Sequence, residues 1–293
     1  MTWIDAFQQS PALLIGTALA LGLIMGSFLN VVILRLPRIL ESEWRRDCAE
    51  VAGAPAAGEG AAEPRLTLAK PASHCPACGH RIRPLENVPI LSYLLLRGRC
   101  SACGVRISPR YPLVEGFTAL LTLIVVLHFG LTWQMLAALP LTWGLIALAV
   151  IDYDTQLLPD GITLPLLWLG LILSLFGVFT DSQSAIIGAV AGYVSLWIVF
   201  QLFRIATGKE GMGFGDFKLF ALFGAWLGWQ YLPQIILLSA LTGALLGTVL
   251  IASGRHERGR PMPFGPFLAA AGWISLIWGP QINDTYLRIS GLG

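Results

Sequence analysis

Charged side chains are scarce in this sequence, 12% of 293 residues against 55% hydrophobic ones. That scarcity excludes a single soluble domain, because half the residues would have to lie in its interior. With a mean hydropathy of +0.70, the chain needs a bilayer as solvent for its apolar surface. The net charge is only +2, and the basic residues form no stripe along an amphipathic helix, so no nucleic-acid partner is expected. No Lys or Arg precedes Arg35. The first apolar run therefore lacks the basic n-region of a cleavable signal peptide and reads as a retained, N-out helix. No internal repeat stands out.

What is abundant is apolar sequence in long runs. Eight stretches, roughly 11–34, 112–129, 134–151, 162–180, 184–203, 218–232, 233–252 and 263–280, mostly approach the ~20 residues of a spanning helix. The sixth is short, and its boundary with the seventh is set at Pro233. Twelve basic residues lie between the first and second runs; Arg204, Lys209 and Lys218 follow the fifth, and Arg255, Arg258 and Arg260 follow the seventh. The positive-inside rule puts these loops in the cytoplasm and both termini outside. The expectation is an all-α polytopic membrane protein of about eight helices. Residues 1–34 form the first helix, 35–111 a cytoplasmic loop and 112–293 a seven-helix bundle. Gly22 and Gly26, and likewise Gly243 and Gly247, mark places where helices could pack closely.

The loop divides in two. From Glu41 to Pro71 it is rich in Ala, Gly, Pro and Glu and reads as a flexible or partly helical linker. Four of the five cysteines follow, as HCPACGH at 74–80 and CSACGV at 100–105. Paired C-x2-C turns, each followed by Gly, suit a tetrahedral sulfur site on Cys75, Cys78, Cys100 and Cys103. A reducing cytoplasm argues against disulfides. Structural zinc is the expected occupant, ahead of a redox dithiol pair or an iron–sulfur site. Cys48 is a spare thiol, and His74 and His80 flank a shell that four cysteines already fill. A closed site of this kind folds the module and leaves no open position for catalysis.

The remaining chemistry lies in a few acids. The third run leads into Ile151-Asp152-Tyr153-Asp154, and the sixth starts from Gly213-Phe214-Gly215-Asp216-Phe217-Lys218. Ionisable groups at the membrane edge are costly and point to function. Asp160 suits an N-cap of the fourth helix, whereas Asp152 at a helix C-terminus opposes the dipole. If Asp152 and Asp216 meet, one keeps a proton while the other accepts one, and such a dyad activates water against a peptide carbonyl. Gly213 and Gly215 would let backbone approach a substrate. Lys218 is an ordinary positive-inside anchor or a charge that biases the dyad. The rival pairing joins Asp152 and Asp154 as a D-x-D site for Mg²⁺ in a membrane transferase. Neighbours two apart on a helix end point differently, so that loop would have to unwind. A non-enzymatic scaffold with a zinc module is the third possibility.

Several long segments resemble the type IV prepilin peptidases, the leader peptidases and N-methyltransferases of bacterial pilus and type II secretion systems. They are GSFLNVVILRLP at 26–37, the two CxxC turns, PLENVPILSYLLLRGRC at 84–100, RYPLVE at 110–115, IDYDTQLLPD at 151–160 and GFGDFK at 213–218. The resemblance implies that Asp152 and Asp216 are the catalytic aspartates, with Asp154, Gly213, Gly215 and Lys218 in the supporting loops. It implies an enzyme of the bacterial inner membrane that removes a basic leader from prepilins or pseudopilins after a Gly. The four-cysteine loop implies bifunctionality, with methylation of the new N-terminal amine by S-adenosylmethionine. Gly98 matches a position tied to methyl transfer, and Glu86 and Asn87 are further candidates. Membrane lipids are the other expected partner, drawn by the basic loop.

Overall fold

The computed structural model describes residue 7 and residues 9–52, 66–253 and 262–290. The Ala/Gly-rich run within the linker and Arg255, Arg258 and Arg260 lie outside the described residues. Among the described residues the chain is helical, with two isolated β-bridges and no strand. It separates into two compact units, residues 1–127 and 128–293.

In the first unit α1 (Pro11–Val51) starts from Ser10, whose hydroxyl accepts from the Leu13 N–H, with Pro11 where no donor is needed. At 41 residues it extends about 60 Å, twice the hydrocarbon thickness. Its last turns carry charge, including the Glu41–Arg45 pair at 2.6 Å. The partly helical reading of the linker thus holds as far as Val51. A 3-10 turn (Pro84–Asn87) and the short α2 (Leu91–Leu95) lie in the cysteine module, which leads into α3 (Arg110–Phe129). Gly22 and Gly26 form the close crossing expected of them. A Cβ at either would stand 2.5–2.6 Å from the Ala119 or Glu115 Cα on α3.

The second unit holds α4 (Trp133–Thr155), α5 (Asp160–Ser174), α6 (Ser182–Thr207), α7 (Phe214–Leu227), α8 (Leu232–Ala252) and α9 (Gly265–Ser290). Helix α7 is its axis. Phe217, Leu219, Leu222, Phe223 and Trp226 are all but fully buried, so α7 is apolar on every side because neighbours surround it. A Cβ on Gly188 of α6 would run into the Gly224 carbonyl of α7, which brings the two backbones together. Trp226 Nε1 donates to the Leu166 carbonyl of α5 at 2.8 Å, and Trp273 Nε1 of α9 to Thr142 Oγ1 of α4 at 3.0 Å. Gly243 and Gly247 do not make the expected close crossing. They meet only the side chains of Phe267 and Met262, at ordinary contact distance.

Among the described residues five helical segments, α1, α3, α4, α6 and 229–252, are each long and apolar enough to cross a membrane. The numerous exposed large apolar side chains, among them Ile24, Leu113, Trp168, Val199 and Leu245, need lipid around them. The chain is a multi-pass helical membrane protein. Helices α1 and α9 run on past their apolar stretches, to Val51 and Ser290, and two further elements end where a local turn dictates. The fourth run ends at Ser174 and not near 180, in turns that include Gly177. The sixth spans 214–227 and not 218–232, because Gly228, at φ 85° and ψ 168°, breaks the helix before Pro233 can.

Candidate active site and metal module

Asp152 and Asp216 come from different helices of the second unit. Asp152 sits in the last turn of α4, which Gln156 closes by donating its N–H to the Asp152 carbonyl at 2.8 Å. Asp216 sits in the first turn of α7. Both are buried, 5% and 7% exposed, and they lie within electrostatic range of each other. Their surroundings differ. Oδ2 of Asp152 accepts the Gly265 N–H at 3.0 Å, whereas Oδ1 of Asp216 is enclosed without a hydrogen-bond partner. Leu158 stands between the two loops. A Cβ on Gly215 would stand 2.7 Å from the Leu158 Cβ, and one on Gly265 would stand 3.2 Å from its Cδ2. The glycine of the GFGD run therefore admits Leu158, a packing neighbour from the Asp152 side.

The other sequence candidates fall elsewhere. Asp154 is exposed while Asp152 is buried, the divergence expected of residues two apart on a helix, and a shared Mg²⁺ on the pair is not favoured. Asp160 is not the N-cap; Pro159 takes that place and Asp160 is the first helical residue. Its carboxylate instead receives Lys218 Nζ at 2.7 Å on both oxygens. Lys218 is thus occupied by Asp160. Gly213 is the N-cap residue of α7. Gly265 was not singled out in the sequence, since it offers an N–H and no side chain; its only signal is the MPFGPF run before the last apolar stretch.

In the first unit the four cysteines converge. The ligand atoms of Cys75, Cys78, Cys100 and Cys103 all lie within 4.8 Å of one another. Cys75 Sγ and Cys103 Sγ are 3.9 Å apart, close to the ~3.8 Å edge of a tetrahedron with metal–sulfur bonds of ~2.3 Å. Among the described residues no other group of three or more His, Cys, Asp or Glu has this arrangement. The two halves are built alike. Cys75 N–H donates to the His80 carbonyl and Cys100 N–H to that of Val105, both at 2.9 Å, with bridges His74–Arg81 and Arg99–Arg106. The N–H groups of Cys78 and Ala77 lower the Cys75 thiol to about 7, and those of Cys103 and Ala102 lower Cys100. Cys78, though the His80 N–H favours its thiolate, is pushed up to about 12 by burial and its neighbouring sulfurs. Four thiols this close ionise together only around a cation, and the donor set fits a metal ion.

Glu86 clasps the halves. It accepts from the Arg83 N–H at 2.9 Å and Ser101 Oγ at 2.6 Å, and lies 3.2 Å from His80 Nε2. The Arg83 N–H first, then Ser101 and His80, hold its carboxyl down at about 2. Gly98 turns the chain at φ 67°, and a Cβ there would stand 2.9 Å from the Tyr93 ring. Asn87 is exposed at the end of the 3-10 turn, and Cys48 is exposed on α1.

A multi-pass helical bundle with two buried acids on separate helices, and a metal-type cysteine module in another unit, is a layout that suits a membrane-embedded enzyme. The chain belongs to the type IV leader peptidase family. The model of the bacterial peptidase A24 N-terminal domain matches residues 20–129, and that of the type IV leader peptidase family matches residues 139–248. It is 53% identical over 291 residues to the prepilin leader peptidase/N-methyltransferase of Pseudomonas aeruginosa, covering 99% of each chain. The proteins of the same name from Aeromonas hydrophila and Xanthomonas campestris are 52% identical over 277 residues and 47% over 292. They cover 94% and 100% of this chain, and 95% and 100% of their own. No solved structure matches the chain at a significant level.

Proposed function

We propose that this protein is a membrane aspartic peptidase that cuts the basic leader from type IV prepilins or pseudopilins after a Gly, and then methylates the new N-terminus. The observation that carries the reading is the pair of buried carboxylates, Asp152 and Asp216, presented by two helix ends within range of each other. The two acids share one proton. The ionised member takes a proton from water as it attacks the scissile carbonyl, and the protonated member hydrogen-bonds the developing oxyanion and then serves the leaving amine. Gly265 orients Asp152, and the enclosed Oδ1 of Asp216 has no competing hydrogen bond.

In this reading the chain makes eight crossings of the bacterial cytoplasmic membrane, with both termini periplasmic and the acids at the cytoplasmic edge. Residues 35–111 and 112–293 act as the loop and bundle domains. A prepilin whose apolar helix rests in the bilayer presents its cut site at that edge. Cys75, Cys78, Cys100 and Cys103 hold a structural zinc. S-adenosylmethionine would supply the methyl group as an electrophile. The surroundings of Gly98 do not fit that donor, since Arg97, Arg99 and Arg106 line them with no acid for its sulfonium and ammonium. Gly98, Glu86 and Asn87 therefore support methylation through the shape of the module.

The test is incubation of the purified protein with a prepilin and S-adenosylmethionine, read by mass spectrometry of the product N-terminus. Leader loss and a methyl mass increment are expected, insensitive to Mg²⁺ chelation. Loss of all activity on removing Mg²⁺ would favour a D-x-D transferase instead.

A further inference from the structure

The cysteine module carries apolar side chains on its outside. Leu91, Leu94 and Leu95 of α2 share a face by their spacing and are 54%, 65% and 74% exposed, and Leu85 shortly before them is 85% exposed. Such a cluster on one short element calls for a partner.

Its depth follows from where α2 begins. Ile90, the residue before α2, donates its N–H to Glu115 Oε2 at 2.7 Å. Its Cδ1 lies 3.5 Å from where a Cβ on Gly116 would stand. Ile90 keeps this position at φ 57°, a conformation that costs a β-branched residue energy. Glu115 and Gly116 lie in the second turn of α3, a helix able to cross the membrane, and so about 8 Å inside its end. Helix α2 is therefore tied to the spanning helix at the depth, ~5–10 Å, where interfacial amphipathic segments rest.

Beside α2 lies an open cavity of about 590 Å³ lined by Tyr93, Arg97, Arg99, Arg106, Ser108 and Pro109. Ser108 and Pro109 immediately precede Arg110, the first residue of α3, so the cavity stands where α3 leaves the hydrocarbon. Three guanidinium groups and no carboxylate line it, a setting for phosphate oxygens.

We infer that α2 seats the module on an anionic phospholipid surface, the Leu91–Leu95 face turned to the acyl region and headgroup phosphates received among Arg97, Arg99 and Arg106 on the opposite, Tyr93 side of the helix. This rests on α3 spanning the membrane and not on the peptidase chemistry. Free phosphate would leave the leucines uncovered, and S-adenosylmethionine, with a sulfonium and an ammonium against one carboxylate, would bring net positive charge to three arginines. An anionic membrane surface meets both sides of α2, acyl chains below it and phosphates above, and so seats the module at the membrane face.

Hydrogen exchange of the full chain in nanodiscs tests this, comparing phosphatidylcholine alone with phosphatidylcholine containing phosphatidylglycerol. Amides between 85 and 108 should exchange more slowly with phosphatidylglycerol, by roughly fivefold per engaged arginine, and the difference should shrink at high salt. The Arg97→Gln/Arg99→Gln/Arg106→Gln protein should lose the difference while amides of 116–127 keep their protection. Equal exchange of the unaltered protein in the two lipids would overturn the site. So would matching protection in phosphatidylcholine discs by inorganic phosphate or S-adenosylmethionine. The lipid comparison on the unaltered protein decides even if the triple variant misfolds.

Discussion

The backbone N–H of Gly265 reaches Oδ2 of Asp152 at 3.0 Å across 113 positions of sequence. Through this bond the start of the last helix orients an acid at the end of α4. A side chain at 265 cannot share the space, because its Cβ would stand 2.6 Å from the same oxygen. Gly265→Ala is accordingly expected to displace Asp152 and lower kcat for leader removal by about 10–100-fold, with KM little changed. Steady-state kinetics on a prepilin substrate check this.

The Lys218–Asp160 pair should matter little. Lys218 is 29% exposed and Asp160 53%, and pairs so placed contribute about 0–1 kcal/mol. Lys218→Ala and Asp160→Ala are each expected to leave processing within a fewfold of the unaltered protein and to shift its thermal unfolding only slightly. A loss as deep as that of an aspartate variant would instead mean that Lys218 acts on the acids.

The metal module and the acids belong to different compact units, so removing the metal should separate the two activities. Chelation, or Ser at Cys75, Cys78, Cys100 or Cys103, is expected to release zinc, measured as about one per chain before treatment, and to open 66–110 to protease. Methylation should fall more than cleavage. Retention of one zinc by all four Ser variants would exclude the cysteines as its ligands.

Gly98 sits at φ 67°, and a Cβ on it would stand 2.9 Å from the Tyr93 ring. Gly98→Leu must therefore move Tyr93 and strain the turn, at a cost of about 1–3 kcal/mol. The product's N-terminus should then show leader removed but methyl groups missing in one mass spectrum. Equal loss of both would mean that the turn only supports the fold.

Much of this was legible in the sequence, and the exceptions have physical causes. Apolar runs reveal helices because lipid leaves the backbone no alternative, and all eight expected stretches correspond to helices of 14 residues or more. Ends were read less well. The sixth apolar run was counted from 218, yet α7 begins at Phe214 and holds Asp216 in its first turn, where burial by neighbouring helices overrides its polarity. Asp152 stood out because an acid at an apolar helix's C-terminus has no local reason to be there, and it is buried in the last turn of α4. The four cysteines were readable from spacing alone. Gly265 and the Ile90–Glu115 bond were not, because one offers only a backbone N–H and the other joins residues whose separate patterns carry no signal. Gly188 against Gly224 was missed for the same reason. Small residues show where backbones could meet, not which pairs do.

Leader removal by the Asp216→Asn protein is the most direct measurement. Co-expressed with a prepilin, it should insert normally and cleave at least about a thousandfold more slowly than the unaltered enzyme. Asp152→Asn should match it, and Asp154→Asn should retain part of the activity. Full processing by Asp216→Asn would contradict the two-aspartate account.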